Sequence, residues 1–298
     1  MRKLFAMSIL GLGINVFGAS VEFPLRYDET LVNQGFASPV ISVQINGDQG
    51  IFLIDSGASI TVVSRWFSDR ANIRLGKIGS VGGSSGGNGT SAAAIVNMFI
   101  KNSKGAKEIF KKKSVVIVDL PDVFQRNSIA GIISPQQLLK DGQFGTLSLS
   151  ESPFFRISGQ QPRKEDRFFP LNTIFSEGPG GQQNVLFTLD AIVDEVKTSF
   201  IVDTGADGAS IGAETESGKK LLAKSIPTDE KIGGITGKPE VIRIVPQAQV
   251  KILDHDIKMK IRLQPISKQM SADGMLGMQF LKNCSLIISL KTGSISCP

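Results

Sequence analysis

Two tripeptides, Asp55-Ser56-Gly57 and Asp203-Thr204-Gly205, stand 148 positions apart in a chain of 298 residues, one carboxylate in each half. Paired carboxylates suit hydrolysis by an activated water. One, ionised, removes a proton from the water, and the other, protonated, polarises the bond under attack. A single tripeptide of this kind reads equally well as a turn that merely ends a strand. The shared surroundings argue for more than a turn. Ile51-Phe52-Leu53-Ile54 precedes the first aspartate and Ser199-Phe200-Ile201-Val202 the second, so both carboxylates are expected at the ends of short buried strands. Gly57 and Gly205 let the backbone turn and approach a partner closely, with the small Ala58 and Ala206 next in line.

The elements that must position these carboxylates are mostly strands. The chain is 41% apolar, with 32 glycines, 13 prolines and only short apolar stretches, which predicts an all-β fold with a few short helices and enough length for two domains. The net charge of +6 is spread among 27 acidic residues, so no nucleic-acid partner is expected. Lys111-Lys112-Lys113 reads as a solvated strand end or loop. Arg2 and Lys3 precede an apolar stretch, Leu4 to Phe17, that is too short to span a bilayer comfortably, and small residues follow at Gly18 and Ser20. Residues 1–20 thus read as a signal peptide, in preference to an uncleaved anchor. Export to the periplasm or outside the cell is expected, with no stable membrane insertion after cleavage.

Cys284 and Cys297, an even count in an exported chain, form a candidate disulfide. Leu286 to Leu290, a turn at Lys291-Thr292-Gly293 and a return over Ser294 to Ser296 suggest a hairpin. That register does not set Cys284 opposite Cys297, so the pairing stays open. No metal or other cofactor is expected from two cysteines and one histidine. The sequence places His255 in a hairpin turn, Asp254-His255-Asp256, where it is poorly suited to a Ser-His-Asp triad.

The two halves repeat one another. Val40 to Ile45, the Asn46-Gly47 turn, Ile51 to Ile54, Asp55 and Ile60 to Val63 parallel Val185 to Leu189, Ala191 to Val193, Ser199 to Val202, Asp203 and Ala209 to Ile211. Glycine-rich hairpin tips follow in both halves, Gly79 to Gly87 (with Gly82 and Gly83) and Ile232 to Gly237 (with Gly233, Gly234 and Ile235). Further on, Gly131-Ile132-Ile133-Ser134 aligns with Gly274-Met275-Leu276-Gly277, each before a short helical stretch, Pro135 to Leu139 and Met278 to Lys282. A Gly-, Pro- and charge-rich segment separates the repeats. The expected organisation is a signal peptide at 1–20, a first lobe at 21–158, a linker at 159–182 and a second lobe at 183–298. Residues 21–38 read either as a first strand or as a removable pro-segment.

Together these motifs resemble the aspartic peptidases. Asp203-Thr204-Gly205-Ala206-Asp207 and Ile232-Gly233-Gly234-Ile235-Thr236-Gly237 are especially similar to retroviral proteases (retropepsins). The first half departs from the pattern at Ser134, which stands where the motif ends in glycine. The sole tyrosine, Tyr27, precedes the first motif, so it is not the flap tyrosine of pepsin-like enzymes. The resemblance implies a bilobal acid-protease fold with two homologous β-barrel-like lobes, a cleft between them and a flap from each. It implies an endopeptidase in which Asp55 and Asp203 share a proton and activate water. Ser56, Gly57, Thr204 and Gly205 would support the dyad, while Gly82, Gly83, Gly233, Gly234 and Ile235 would lie on flaps over an extended peptide substrate. With both lobes in one chain, a monomer is expected. The other reading is a peptide-binding or regulatory module that keeps this fold without turnover.

Overall fold

The computed structural model describes residues 20–83, 88–162, 167–177, 183–232, 240–267 and 270–298. All but the last residue of the expected signal peptide lies outside these residues.

The first half runs β1 (Val21–Pro24), α1 (Glu29–Val32), β2 (Val40–Ile45), β3 (Asp48–Ile54), β4 (Val62–Ser64), α2 (Arg65–Arg70), β5 (Ile78–Gly82), β6 (Asn88–Lys101), β7 (Lys107–Val118), α3 (Asp122–Arg126), β8 (Ile129–Ile133), α4 (Pro135–Leu138), β9 (Phe144–Ser148) and β10 (Phe154–Ser158). The second runs β11 (Phe169–Glu177), β12 (Gln183–Val193), β13 (Val196–Val202), β14 (Ala209–Gly212), α5 (Glu216–Leu222), β15 (Ile226–Ile232), β16 (Glu240–Ile252), β17 (His255–Gln264), β18 (Gly274–Leu276), α6 (Met278–Leu281), β19 (Ser285–Ile288) and β20 (Gly293–Ser296).

The repeat seen in the sequence is a repeat of topology. The first lobe has the order β2-β3-β8-β4-β7-β6-β5, and an extra β2–β6 pairing curls the sheet into a barrel. The second has β12-β13-β18-β14-β17-β16-β15 with an extra β12–β16 pairing. In both, the strand that ends at an aspartate lies parallel to the strand of the later motif, β3 with β8 and β13 with β18. Such central strands are shielded on both faces, which explains their near-continuous apolar runs: Phe52 to Ile54 and Phe200 to Val202 are all buried.

A six-strand layer, β1-β10-β9-β19-β20-β11, joins the lobes. Three strands come from each half, and the pseudo-twofold axis passes between β9 and β19, where Leu147 pairs with Leu286. One apolar cluster runs from Phe23 through Phe52, Leu147, Phe200 and Leu286 to Ile295, so the lobes share a core. Residues 21–24 form the edge strand β1, paired with β10. Tyr27 fastens this layer, its hydroxyl donating to Leu149 O at 2.9 Å, and burial pushes its pKa up to about 12.

Several local readings are revised by the backbone. The segment 159–182 contains a strand, β11, which pairs with β20 through Phe169–Leu171 and with β12 from Asn172 onward. Residues 185–193 belong to one continuous strand, because Asp190 occupies an outward position between buried Leu189 and Ala191 and pairs with Lys197 at 2.9 Å. The turn near the histidine is Leu253-Asp254, with Leu253 at φ 55°, and His255 opens β17 opposite Ile252. In the triple lysine, Lys111 and Lys112 are exposed, whereas Lys113 reaches inward to Gln137 O, and burial together with Lys140 lowers its pKa.

The C-terminal hairpin resolves the question of the cysteines. Its loop is Ser289–Thr292: the Ser289 hydroxyl accepts the N–H groups of Lys291 and Thr292, and Ser289 N–H donates to Thr292 O. This side-chain-closed turn places Ile288 opposite Gly293 and Ser285 opposite Ser296. Cys284 then faces Cys297, and the two form a disulfide with Cα atoms 4.2 Å apart and the partners 13 positions apart in sequence. A closed loop of that length stabilises by about 2–3 kcal/mol in the chain-entropy account. Cys284→Ser/Cys297→Ser, or full reduction, is expected to lower the thermal midpoint by several degrees; an unchanged midpoint after verified reduction would contradict this.

Candidate active site

Asp55 and Asp203 each sit one residue beyond a buried strand. The N–H of Asp55 donates to Ile133 O and that of Asp203 to Leu276 O, both at 3.0 Å, so each aspartate is anchored to its parallel neighbour strand. Beyond them the chain turns sharply and the two loops meet across the lobes.

The meeting is reciprocal. Ser56 Oγ donates to Val202 O at 2.7 Å and accepts the Thr204 N–H at 3.1 Å; Thr204 Oγ1 donates to Ile54 O at 2.7 Å and accepts the Ser56 N–H at 3.0 Å. Both hydroxyls are sealed from solvent, at 1% and 0% residue exposure. Serine in the first lobe makes the same cross-lobe bonds as threonine in the second. Glycine at the next position is obligatory: a Cβ on Gly57 would lie 2.5 Å from the Asp203 carboxyl carbon, and one on Gly205 would lie 2.4 Å from that of Asp55. Each glycine therefore backs the other lobe's carboxylate.

The two carboxyl groups face each other where the loops meet, each against the other lobe's glycine. Asp203 Oδ1 also accepts the N–H groups of Gly205 at 2.8 Å and Ala206 at 3.2 Å, and Asp55 Oδ1 accepts that of Ala58 at 2.9 Å. Burial and then the neighbouring Asp203 charge push the Asp55 carboxyl well above the usual carboxylate range. Burial raises Asp203 as well, opposed by the hydrogen bond from Asp55 and by its two backbone donors. Both carboxyls are thus raised, and they titrate as a pair that shares one proton.

Of the sequence-predicted flap residues, Gly82 ends β5 and Gly83 follows it, on a hairpin between β5 and β6. Gly233, Gly234 and Ile235 lie outside the described residues, between β15 and β16. Sequence reading missed the charge network beside the second loop. Arg262 on β17 grips Asp207 with two bonds, 2.8 and 3.0 Å, and its Nε stands 3.6 Å from Glu230 on β15, which Lys260 holds at 2.7 Å. The first-lobe positions matching Asp207 and Arg262 are Ser59 and Val116, since Val62 pairs with Val116 as Ser210 pairs with Arg262. Long-range pairing of this kind leaves no local signature.

Residues 41–122 match the family model described as gag-polyprotein putative aspartyl protease. The match spans the Asp55 motif and the β5–β6 hairpin, in the half whose motif departs at Ser134. No curated protein matches the sequence. Among solved structures, the aspartic proteinase from Irpex lacteus superposes with a TM-score of 0.53 at 11% identity, covering 94% of this chain and 97% of that one. Basic 7S globulin from soybean gives 0.49 at 12% identity, covering 94% and 95%. The likeness to the Irpex lacteus protein shows the bilobal aspartic-proteinase fold over both halves.

Two stability measurements follow from this geometry. Ser56→Ala strips a partner from Val202 O and from Thr204 N–H, at about 1–3 kcal/mol for each buried group left unpaired. A loss of about 2–5 kcal/mol in urea unfolding is expected, and Ser56→Thr should restore most of it. The dyad works in the opposite sense. A carboxyl whose pKa rises on folding contributes stability below its unfolded value and loses it as pH climbs through the folded value. The ionised pair therefore destabilises the neutral-pH fold, and Asp55→Asn is expected to raise the thermal midpoint at pH 7. That gain should vanish near about pH 3, below the unfolded carboxylate value; an equal gain at both pH values would contradict the linkage.

Proposed function

Starting from a chain with the bilobal aspartic-proteinase fold and a retropepsin-type family match over its first lobe, we propose that this protein is an exported aspartic endopeptidase. The observation that carries the reading is the ring of cross-lobe hydrogen bonds that brings the two aspartates together, each carboxyl backed by the other lobe's glycine. One aspartate of the pair, ionised, is the base, and the other, protonated, is the acid. The base removes a proton from a water held between them as the water oxygen bonds to the scissile carbonyl carbon, and the acid donates its proton toward the carbonyl oxygen. Collapse of the tetrahedral species breaks the C–N bond, and a proton passes to the departing amine. No covalent enzyme intermediate is needed.

An extended peptide suits such a site, because it can pair its backbone with neighbouring strands. The hairpins bearing Gly82 and Gly83 and bearing Gly233, Gly234 and Ile235 would close over it. Both aspartates come from one chain, which supports a monomeric enzyme. Export is supported by the basic-then-apolar N-terminus and by the Cys284–Cys297 disulfide, which favours an oxidising compartment. Among the described residues no helix is long and apolar enough to cross a membrane.

The test is incubation of the mature chain with a diverse peptide mixture across about pH 3–7, with Asp55→Asn and Asp203→Asn as controls. Either substitution is expected to lower kcat by at least about 10³-fold. The wild-type rate should be bell-shaped in pH. Its acid limb reports the pair's first ionisation and its alkaline limb the second, displaced above the ordinary carboxylate range by the raised Asp55 value. Hydrolysis that survives either substitution would overturn the shared-dyad mechanism. Tight peptide binding without cleavage by wild type would favour the binding-module reading.

A further inference from the structure

The two lobes brace their aspartate loops from behind in different ways. In the second, α6 starts directly beneath the loop: Met278 N–H donates to Ala206 O and Gln279 N–H to Asp207 O, each at 2.8 Å. This contact requires Gly277, where a Cβ would lie 2.5 Å from Gly208 O and 2.6 Å from Ala206 O. The first lobe has Ser134 and Pro135 at the matching positions. Pro135 has no N–H to donate, and Ser134 carries the Cβ that the second-lobe contact excludes. Backbone docking of α4 in that form is ruled out by the two residue types.

Side chains fill its place. Gln136, 2% exposed, donates from Nε2 to Ser56 O at 2.8 Å and to Val185 O, on β12 of the other lobe, at 3.3 Å. Its Oε1 accepts from Ser134 Oγ at 3.3 Å. Thr61 Oγ1 accepts the Ser134 N–H at 3.3 Å, and Thr61 N–H donates to Gln137 Oε1 at 2.7 Å. Gln279, in the position matching Gln136, is exposed, its lobe having the backbone contact instead. The departure at Ser134 is thus part of a compensated set: Ser134, Pro135 and Gln136 change the brace together.

Ser56 O belongs to the peptide whose N–H is that of Gly57, the backbone group that most favours the ionised form of the Asp55 carboxyl. A donor on the carbonyl end polarises the peptide and strengthens donation from the other end. We propose that Gln136 is a positioning residue for Asp55: through the Ser56–Gly57 peptide it holds the first aspartate's loop and stabilises that carboxyl's ionised form, in the lobe that lacks the backbone brace. The charged group acting on Asp55 is Asp203, and the N–H groups of Gly57 and Ala58 are the others that bear on it. Gln136 reaches the carboxyl through the first of these.

The kinetic arm of the test rests on the proposed hydrolysis; the titration arm does not. Asp55 is titrated by carbon NMR in full-length wild type, Gln136→Leu and the milder Gln136→Asn, alongside thermal unfolding and pH profiles of kcat and KM. The Asp55 midpoint is expected to rise by about half a unit in both variants while they remain folded. The alkaline limb should move with it, and kcat should fall about tenfold with KM within about threefold. Adding Ser134→Gly and Pro135→Met to Gln136→Leu supplies the missing N–H and removes the Cβ, and is expected to return the midpoint toward wild type. An unmoved Asp55 midpoint in a folded variant overturns the proposal, as does a loss of rate that follows the folded fraction alone. If wild type cleaves nothing, the endopeptidase reading falls, and the titration still decides the role of Gln136.

Discussion

Two buried hydroxyl groups, Ser56 Oγ and Thr204 Oγ1, fix the distance between the halves of this molecule, and the rest of the architecture serves that contact. Each donates to a carbonyl of the opposite lobe and accepts an N–H from it, so four bonds close a ring around the pseudo-twofold axis. A buried bond of this kind is steeply asymmetric in energy: modest when made, costly when one partner is missing. The loops can therefore hold their separation only if both lobes present their strand ends together. The shared apolar core and the six-strand layer between the lobes meet that condition, with Leu147 opposite Leu286 on the axis itself.

Holding the loops close forces an electrostatic conflict. Two partly buried carboxyl groups this close cannot both ionise without each raising the other. The glycines make the conflict unavoidable, because only a residue without Cβ admits the opposing carboxyl at 2.4–2.5 Å from the ideal Cβ position. The site is thus built from a destabilising element, tolerated because apolar strands on both sides over-determine its geometry. Backbone donors then divide the pair. Asp203 Oδ1 accepts from Gly205 and Ala206 and Asp55 Oδ1 from Ala58, so one shared proton lies between two unlike surroundings.

Most of this was legible in the sequence, for reasons that differ by feature. The aspartates, their apolar strands and the repeat could be read because each is local: a run of residues, a turn, a spacing. The bilobal all-β fold followed from the repetition. Longer-range features were not readable. The register of the C-terminal hairpin depended on Ser289 closing a four-residue loop, and a turn assigned to Lys291-Thr292-Gly293 placed the cysteines out of register. Strand β11 sits in a stretch flanked by Gly, Pro and charge, and its pairing with β12 and β20 is tertiary. Ser134 registered only as a missing glycine. What it means depends on Pro135 beside it and on Gln136 reaching Ser56 O, a contact 80 residues apart in the chain.

Placing both halves in one chain removes the requirement that the two walls of the site be alike. At matching positions of β4, β7 and β8 the first lobe has Val62, Val116 and Ile132, which join one apolar cluster with Leu31 and Phe124. The second has Ser210, Arg262 and Met275, with Arg262 committed to Asp207 and close to Glu230. Two copies of one sequence about a twofold axis could not carry this difference, because a change in one wall would appear in the other. The braces behind the aspartates show the same freedom, backbone donors under Asp203 and a glutamine under Asp55. Duplication therefore kept the ring of four hydrogen bonds symmetric, where distance between the carboxylates is decided, and let the surroundings diverge, where charge and polarity are decided.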